Sequence, residues 1–591
     1  MVRHDVNQET GNPRALTEAL RLVRERSAED DSVLILAAAE PDGVCSAHIL
    51  TSIFKLESIR YTLQSVKGYT ELDAVLKALR PSVRTVFLLN CGAAVNLTSY
   101  LDTLLDVVLI VVDSHRPIHL KNVKEAARIL VLDDDLGRGS EFPVQAMDEA
   151  DEGGDGDDDD LIEDIIFLQE DDEHDEGMRK RHKSGEDEER RAARRKVLRD
   201  YYEGFYYASP SALVLYAMAS DMGYQNQQLL WLASVGLASY LESGYFSQDT
   251  FRGIAQDMDN HHLSPQGSAG LKFVQDLSLC MYRHWSLFQA MWHTPYVFSK
   301  LELHRDHGHG TMQKLLMYAG VAPDNYNQNF SSMSHSAKKL VSSDLFKKKC
   351  AAFGLDDIKH YQFVRSLRIK DEQRPSLMLN ELSASDLYYM ICSALHLKGF
   401  NHAMDVAVCS APLSEMHACI SRCLDVHKDI CTQAKMILDK RGWRMVDGFR
   451  FAVIEKPTSQ IFQQSPHAVR WLAMFLMNVL HQRKHSAPLM ALLICVRHGM
   501  DYICLGADPQ DTKSELVFRF RNACEATAVK IKLDSFDFAL AEVPSADFET
   551  WANALLGGSS EEDDYDSDED EEEEEGDEVY EQDENVEELN E

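Results

Sequence analysis

Between residues 30 and 135 short apolar runs alternate with amphipathic stretches. Ser32-Val33-Leu34-Ile35-Leu36 leads into Glu40-Pro41-Asp42-Gly43, and Thr85-Val86-Phe87-Leu88-Leu89 leads into Asn90-Cys91-Gly92. Val107 to Val112, a third unbroken apolar run, ends at Asp113-Ser114-His115-Arg116-Pro117. Apolar residues at every position, not every second one, predict strands buried on both faces, as in a parallel sheet. A further strand is expected over Ile59 to Val66, and helices over Val44 to Phe54 and Glu71 to Leu79. Leu16, Leu20 and Val23 suggest a helix over 15–28 ahead of them. The pattern is that of repeated β-α units in a doubly wound parallel sheet. Three strands then deliver polar residues to one edge, where sites in open α/β sheets gather.

From Asp200 to about 380 the pattern is mostly helical. Leu213, Tyr216, Ala217 and Ser220 share one helix face, and Leu229 to Leu241 and Gln313 to Tyr318 continue the period. His284 to Leu303 is rich in aromatics, among them Trp285, Phe288, Trp292 and Tyr296. Aromatics at helical spacing ordinarily form core, but this density also suits a partner interface. Beyond 385 the pattern is mixed α/β, with strands expected at Phe451 to Ile454, Leu492 to Val496, Asp501 to Gly506 and Phe538 to Val543. Helices are expected at Lys513 to Ala528 and Ala546 to Leu556. The fold class is therefore α/β. The expected domains are an N-terminal α/β domain over 1–140, an acidic linker over 141–185, a helical region over 186–385, a C-terminal α/β domain over 386–557 and an acidic tail over 558–591.

Charge changes this picture by locating what is not globular. The net charge is −37, but Asp148 to Glu176 holds 17 acids and Glu561 to Glu591 holds 21, neither with a Lys or Arg. Outside them 59 acids face 60 bases, so the folded body is balanced. Such tracts repel themselves and are expected to be disordered. Leu161-Ile162 and Ile165-Ile166-Phe167-Leu168 form an apolar island in the first tract, read either as a short helix packing on its own domain or as a segment that folds on a partner. Two basic clusters follow, Arg179 to Lys183 and Arg190 to Lys196. They fit a charged helix face, a bipartite nuclear-import signal, or phosphate contact through Arg194, Arg195 and Lys196. Ser559, Ser560 and Ser567 each precede an acid by three residues, as an acidophilic kinase requires. No apolar run approaches the ~18 residues of a membrane span, and the polar N-terminus carries no secretory pattern.

The chemistry-bearing residues are sparse. Twelve cysteines without a CxxC pair read as reduced, buried hydrophobes. His304, His307 and His309 lack a fourth ligand and read as an exposed loop, not a zinc site. Neither a GxxxxGK[ST] loop nor a GxSxG elbow is present. The strand ends offer Glu40, Asp42, Asn90, Asp113, Ser114 and His115, a set to be tested against two-metal hydrolysis.

These stretches, with Asp133-Asp134-Asp135-Leu136, Tyr201 to Ser211, Val235-Gly236-Leu237, His284-Trp285-Ser286-Leu287 and Phe536-Asp537-Phe538, resemble the cell division cycle protein 45 family. That family is an inactive branch of the DHH phosphoesterase superfamily, to which the RecJ exonuclease belongs, and the likeness runs in order over about residues 30 to 556. The resemblance implies DHH-like and DHHA1-like lobes with a helical insertion that docks other helicase subunits. It implies a nuclear, non-enzymatic replication factor without cofactor. The partners implied are the MCM hexamer, the GINS complex, origin-firing factors, a replicative DNA polymerase and, weakly, single-stranded DNA near Arg116. Against an active member, the DHH triplet reads Asp113-Ser114-His115, Asn90 replaces an acid, Glu40 stands for an aspartate, and Ala238-Ser239-Tyr240 stands where a metal-binding Asp is expected. The alternative is a divergent metal-dependent exonuclease or phosphodiesterase. An acidic chromatin adaptor would account for the tracts alone.

Overall fold

The computed structural model describes residues 32–133 (except 102, 103 and 105), 185–262 (except 203), 270–370, 378–483 (except 447) and 489–557 (except 515), together with His4–Asp5 and residues 21, 23 and 24. Most of the helix expected over 15–28, the apolar island, the cluster Arg179 to Lys183, Asp134 to Leu136 and both acidic tracts lie outside the described residues.

The first sheet is parallel, as its apolar runs require. It is built from β1 (Ser32–Ala38), β2 (Tyr61–Val66), β3 (Val83–Leu89), β4 (Val108–Val112) and β5 (Ile129–Asp133), in the order β2-β1-β3-β4-β5. His4–Asp5 adds an antiparallel rung beside β5. Helices α1 (Pro41–Leu56) and α2 (Tyr69–Lys77) supply the first crossovers. Both faces are covered. Val33, Ile35, Phe87, Leu89, Ile110 and Val112 face one core, while Leu34, Leu36, Val86, Leu88, Leu109 and Val111 face another. Strand β5 was not anticipated from the sequence.

Beyond the acidic tract, α3 (Gly185–Tyr202) leads to α4 (Ser211–Asp221) and α5 (Gln227–Glu242), which pack on α1. The region read as mostly helical also contains a three-stranded antiparallel sheet. It is formed by β6 (Leu271–Leu277), β7 (Lys359–Lys370) and β8 (Met378–Ser383), with β7 central. These strands were missed because they are half-exposed and carry polar residues between their apolar ones, Lys, Arg and Gln in β6 and β7 and Asn380 and Glu381 in β8, so they lack the unbroken apolar signature. Between β6 and β7 run short helices including α6 (Gly308–Tyr318) and α7 (Asp344–Ala351).

After α8 (Ala384–Lys398), the 27-residue helix α9 (Leu413–Asp439) spans two cores. Its Met416, Cys419 and Cys423 join the core of the first sheet, while Ile430, Ala434 and Ile437 join that of the C-terminal sheet. Leu387, Met390 and Ile391 of α8 also pack in the first core. Tyr388 and Cys392 of α8 pack in the second core, so α8 and α9 each bridge the two. The last sheet runs β9 (Arg444–Val446), β10 (Phe449–Ile454), β11 (Ala491–His498), β12 (Asp501–Ala507) and β13 (Leu540–Pro544), with α10 (Pro466–Arg483) on one face. The pair β10–β11 is parallel and the rest antiparallel. Helices α11 (Leu516–Thr527) and α12 (Phe548–Leu555) cover the other face.

The aromatic expectation needs correcting. Trp285 and Phe288 are 8% and 7% exposed, within the core shared with the C-terminal sheet. Trp285 stacks on His293 at 4.4 Å and Phe288 on Trp292 at 5.8 Å. Trp292 and Tyr296 are half-buried, and the Tyr296 hydroxyl is held by Gly354 O and Asp357 N. Dense aromatics here fill a core joining two lobes, so Trp285 and Phe288 do not form a partner surface. His304 is likewise buried, packed near Phe298, while His307 and His309 are exposed.

Phe536, near the C-terminal end, inserts into the core on the far face of the first sheet and is 1% exposed. Phe536→Ala should lower stability by about 3–5 kcal/mol, the usual cost of emptying a buried aromatic site. Urea unfolding followed by circular dichroism measures this, and a loss below about 1 kcal/mol would show the ring is dispensable.

Candidate functional site

The site exists because three strands end level. Ala37 of β1 pairs with Leu89 of β3, which pairs with Val112 of β4. Glu40, Asn90 and Asp113 thus emerge side by side at the carboxyl edge. This edge includes the point where strand order reverses, on either side of β1. Asn90 takes φ +55°, a left-handed conformation that asparagine tolerates better than most residues, and its N–H donates to Val112 O at 2.8 Å.

Asp42, 2% exposed in the first turn of α1, reaches across to α4. Its two oxygens accept from Ser211 N at 2.7 Å and Ala212 N at 3.0 Å. Pro210 precedes α4 and offers no side-chain cap, so Asp42 caps that helix from outside. Asp113 is equally committed. One oxygen accepts from Ala93 N at 2.8 Å, and the other lies 2.6 Å from His115 Nδ1 and 3.2 Å from His115 N. Asn90 donates to Glu40 Oε2 at 3.2 Å and accepts from Ser114 Oγ at 3.1 Å.

At the centre stands Tyr240, from α5. Its hydroxyl bonds Ser114 Oγ and lies 3.4 Å from Asn90 Oδ1 and 3.5 Å from Asp42 Oδ2. Gly236, one turn earlier, lets α5 approach. A Cβ there would sit 2.7 Å from Ala212 Cβ and 2.8 Å from Asp42 Oδ1.

The C-terminal lobe closes over this edge. Asp534 receives Tyr69 N on its carbonyl at 2.9 Å and Thr70 N on its carboxylate at 2.7 Å, capping α2. Gly68 is required there, since a Cβ would fall 1.8 Å from Asp534 O. Phe538 packs on His115 and Phe205 at 5.6 and 4.4 Å. Asp537 pairs with buried Arg470 of α10 and accepts from the Tyr207 hydroxyl at 3.4 Å.

Burial dominates the electrostatics. It pushes Glu40 up to about 7, partly offset by nearby His115. It pushes Asp42 up to about 6 against the pull of the Ala212 and Ser211 amides. Burial also opposes charge on Asp113 and His115, but their mutual attraction prevails, holding Asp113 below and His115 above the ordinary value.

All six edge residues named from the sequence converge, with Glu40 half-buried and the others buried. Arg116 does not serve as a DNA contact. It is 2% exposed, and Nη1 donates to the carbonyls of Asp113 and His115 at 2.9 Å. Arg194 is half-buried and Lys196 exposed on α3, while the side chain of Arg195 lies outside the described residues. Sequence reasoning noted Tyr240 only as part of a missing aspartate and overlooked Arg470. The signal for Tyr240 was its place one turn after Gly236, on a helix face turned toward the strand ends.

Two-metal hydrolysis needs carboxylate oxygens free to share cations ~3.5–4 Å apart. Here both oxygens of Asp42 and of Asp113 already accept protein hydrogen bonds, and a neutral phenol stands between them. The residues present do not fit a cation pair. Among the described residues, no three His, Cys, Asp or Glu side chains converge to hold an ion.

A doubly wound parallel sheet whose polar carboxyl edge is closed by a second α/β lobe makes this a two-lobed α/β protein. The family model described as CDC45 matches residues 33–399 and 393–558, and the chain belongs to the CDC45 family. It is 26% identical to the cell division control protein 45 homolog of Schizosaccharomyces pombe, covering 89% of this chain and 95% of that one. With the Homo sapiens homolog it shares 24% identity over 89% and 97% of the two chains. The crystal structure of CDC45 from Entamoeba histolytica superposes with a TM-score of 0.65 at 16% identity, covering 92% of this chain and 98% of that one.

Below pH 7 the folded state holds more protons at Glu40 and Asp42 than the unfolded chain, so their contribution to stability is lost as pH rises from about 4 to 7. Glu40→Gln should therefore gain on the native protein with rising pH, by about 1–3 kcal/mol at pH 8 and little at pH 5. Denaturant midpoints across that range test this, and a pH-independent difference would contradict it.

Proposed function

We propose that this chain is a non-catalytic DNA replication factor, a subunit of the replicative helicase that assembles with the MCM hexamer and the GINS complex. Origin-firing factors and a replicative DNA polymerase are its further partners, and the nucleus its place of work. Membership of the CDC45 family supports the role in replication. The non-catalytic reading is carried by one observation: every carboxylate oxygen of Asp42 and Asp113 is engaged by amide or imidazole groups around the Tyr240 hydroxyl. Glu40, Asp42, Asn90, Asp113, Ser114 and His115 are on this reading a vestigial pocket whose polar groups hold α1, α4, α5 and the strand ends together. Neither lobe carries excess charge for a global pull on DNA. Single-strand contact is assigned to Arg194, Arg195 and Lys196 of α3, weak and salt-sensitive because it rests on phosphate neutralisation.

The full chain mixed with MCM and GINS should co-elute as a stable complex on size exclusion. With Mn²⁺ and labelled single-stranded DNA it should release no nucleotides. Failure to assemble with the fold intact would overturn the helicase reading. Cleavage abolished by both Asp42→Ala and Asp113→Ala would overturn the non-catalytic one.

A further inference from the structure

The helices between β6 and β7 carry a mixed basic and apolar surface. Residues 308–353 hold six lysines, Lys314, Lys338, Lys339, Lys347, Lys348 and Lys349, against only Asp324 and Asp344, although the chain outside its acidic tracts is balanced. Within this excess of positive charge lie large apolar side chains turned to solvent. Met317 and Tyr318 end α6 at 63% and 56% exposure, and Leu345 of α7 is 52% exposed. The two helices meet here. Lys349 Nζ lies 5.7 Å from the Tyr318 ring centroid, and Tyr318 contacts half-buried Phe353 at 5.8 Å. Gly320 lies beside them, where a Cβ would touch Leu340 at 3.6 Å and Lys349 at 3.8 Å. Leu345, Lys348 and Lys349 are spaced by three and four, hence on one face of α7.

An apolar strip ringed by lysines has a definite complement: a short segment with apolar anchors on one side and carboxylates on the other. A single-stranded nucleic acid would satisfy the lysines with its phosphates and stack a base on Tyr318 but would leave Met317 and Leu345 uncovered. The chain itself contains such a segment. In Leu161-Ile162-Glu163-Asp164-Ile165-Ile166-Phe167-Leu168-Gln169-Glu170-Asp171-Asp172, Leu161, Ile165 and Leu168 recur at helical spacing, with Asp164 at the edge of that row and Glu163 and Glu170 opposite it. The acidic tail, by contrast, has no comparable apolar cluster. The segment is tethered on both sides by long connections. Leu161 is 28 residues beyond Asp133 and Leu168 is 17 before Gly185, spans of up to roughly 90 and 55 Å of extended chain.

We infer that residues 161–172 dock on the α6–α7 face, their apolar row against Met317, Tyr318 and Leu345 and their carboxylates against Lys314, Lys348 and Lys349. Docking seats the acidic tract on the helical region and covers that face until a partner with the same chemistry displaces it. This is independent of whether the chain serves a helicase.

Zero-length amine–carboxylate cross-linking of the full chain, read by mass spectrometry, tests it. Cross-links should join Lys348 or Lys349 to the acids of 163–172, and should weaken at high salt as exposed ion pairs do. They should disappear in Tyr318→Ser/Leu345→Ser, whose side chains are exposed and whose loss spares the core, and in Ile165→Asp/Leu168→Asp. Amide exchange at 314–318 and 345–349 should quicken about five-fold in the island variant, with exchange elsewhere unchanged. Cross-links running instead to Glu561–Glu591, or surviving both double variants, would overturn the assignment. So would displacement of the cross-links by a single-stranded oligonucleotide but not by an excess peptide of residues 158–173.

Discussion

The carboxylate of Asp42 is the interaction on which the rest depends. By accepting from Ser211 and Ala212 it joins the first turn of α1 to the start of α4, helices that follow different parts of the chain across the whole acidic tract. Its burial raises the cost of ionisation, and the two amides together with the N-terminal dipole of α4 offset that cost. Gly236 and Tyr240 complete the junction by bringing α5 against the same carboxylate. A buried acid is used here as a joint between helices.

The other polar groups of the edge are tied to one another in the same way. The Asp113–His115 pair is an ion pair closed on itself and held by Ala93 N, under a roof of Tyr207 and Phe538. Asn90 bridges Glu40 and Ser114 through its amide. The C-terminal lobe is fastened by Asp534 on α2 and by Asp537 on the Tyr207 hydroxyl, with Asp537 itself held by Arg470 of its own lobe. A buried polar network with each member satisfied rigidifies a fold, which suits a scaffold better than a substrate cleft.

The parallel sheet was legible because burial on both faces writes unbroken β-branched and leucine runs such as Val107 to Val112 into the sequence. The convergence of Glu40, Asn90 and Asp113 was legible because those runs end at the same kind of polar turn. What could not be read was anything set by long-range register. The half-exposed strands β6 to β8 carry no continuous apolar run. The burial of Trp285 and Phe288 depends on a C-terminal sheet far along the chain. Arg116 looks like a surface cation in sequence, and only the folded turn shows its guanidinium engaged with local carbonyls. Tyr240 was an absence in the pattern and became a central group once α5 was placed.

The central claim is that the strand edge is a closed hydrogen-bonded joint and not a cation site. Crystals grown or soaked with Mn²⁺ and measured at the manganese absorption edge address it directly. The account predicts no anomalous peak within bonding distance of Asp42, Asp113 or His115, with the Tyr240 hydroxyl still between the carboxylates. A peak there, with Asp42 swung away from Ser211 and Ala212, would contradict it.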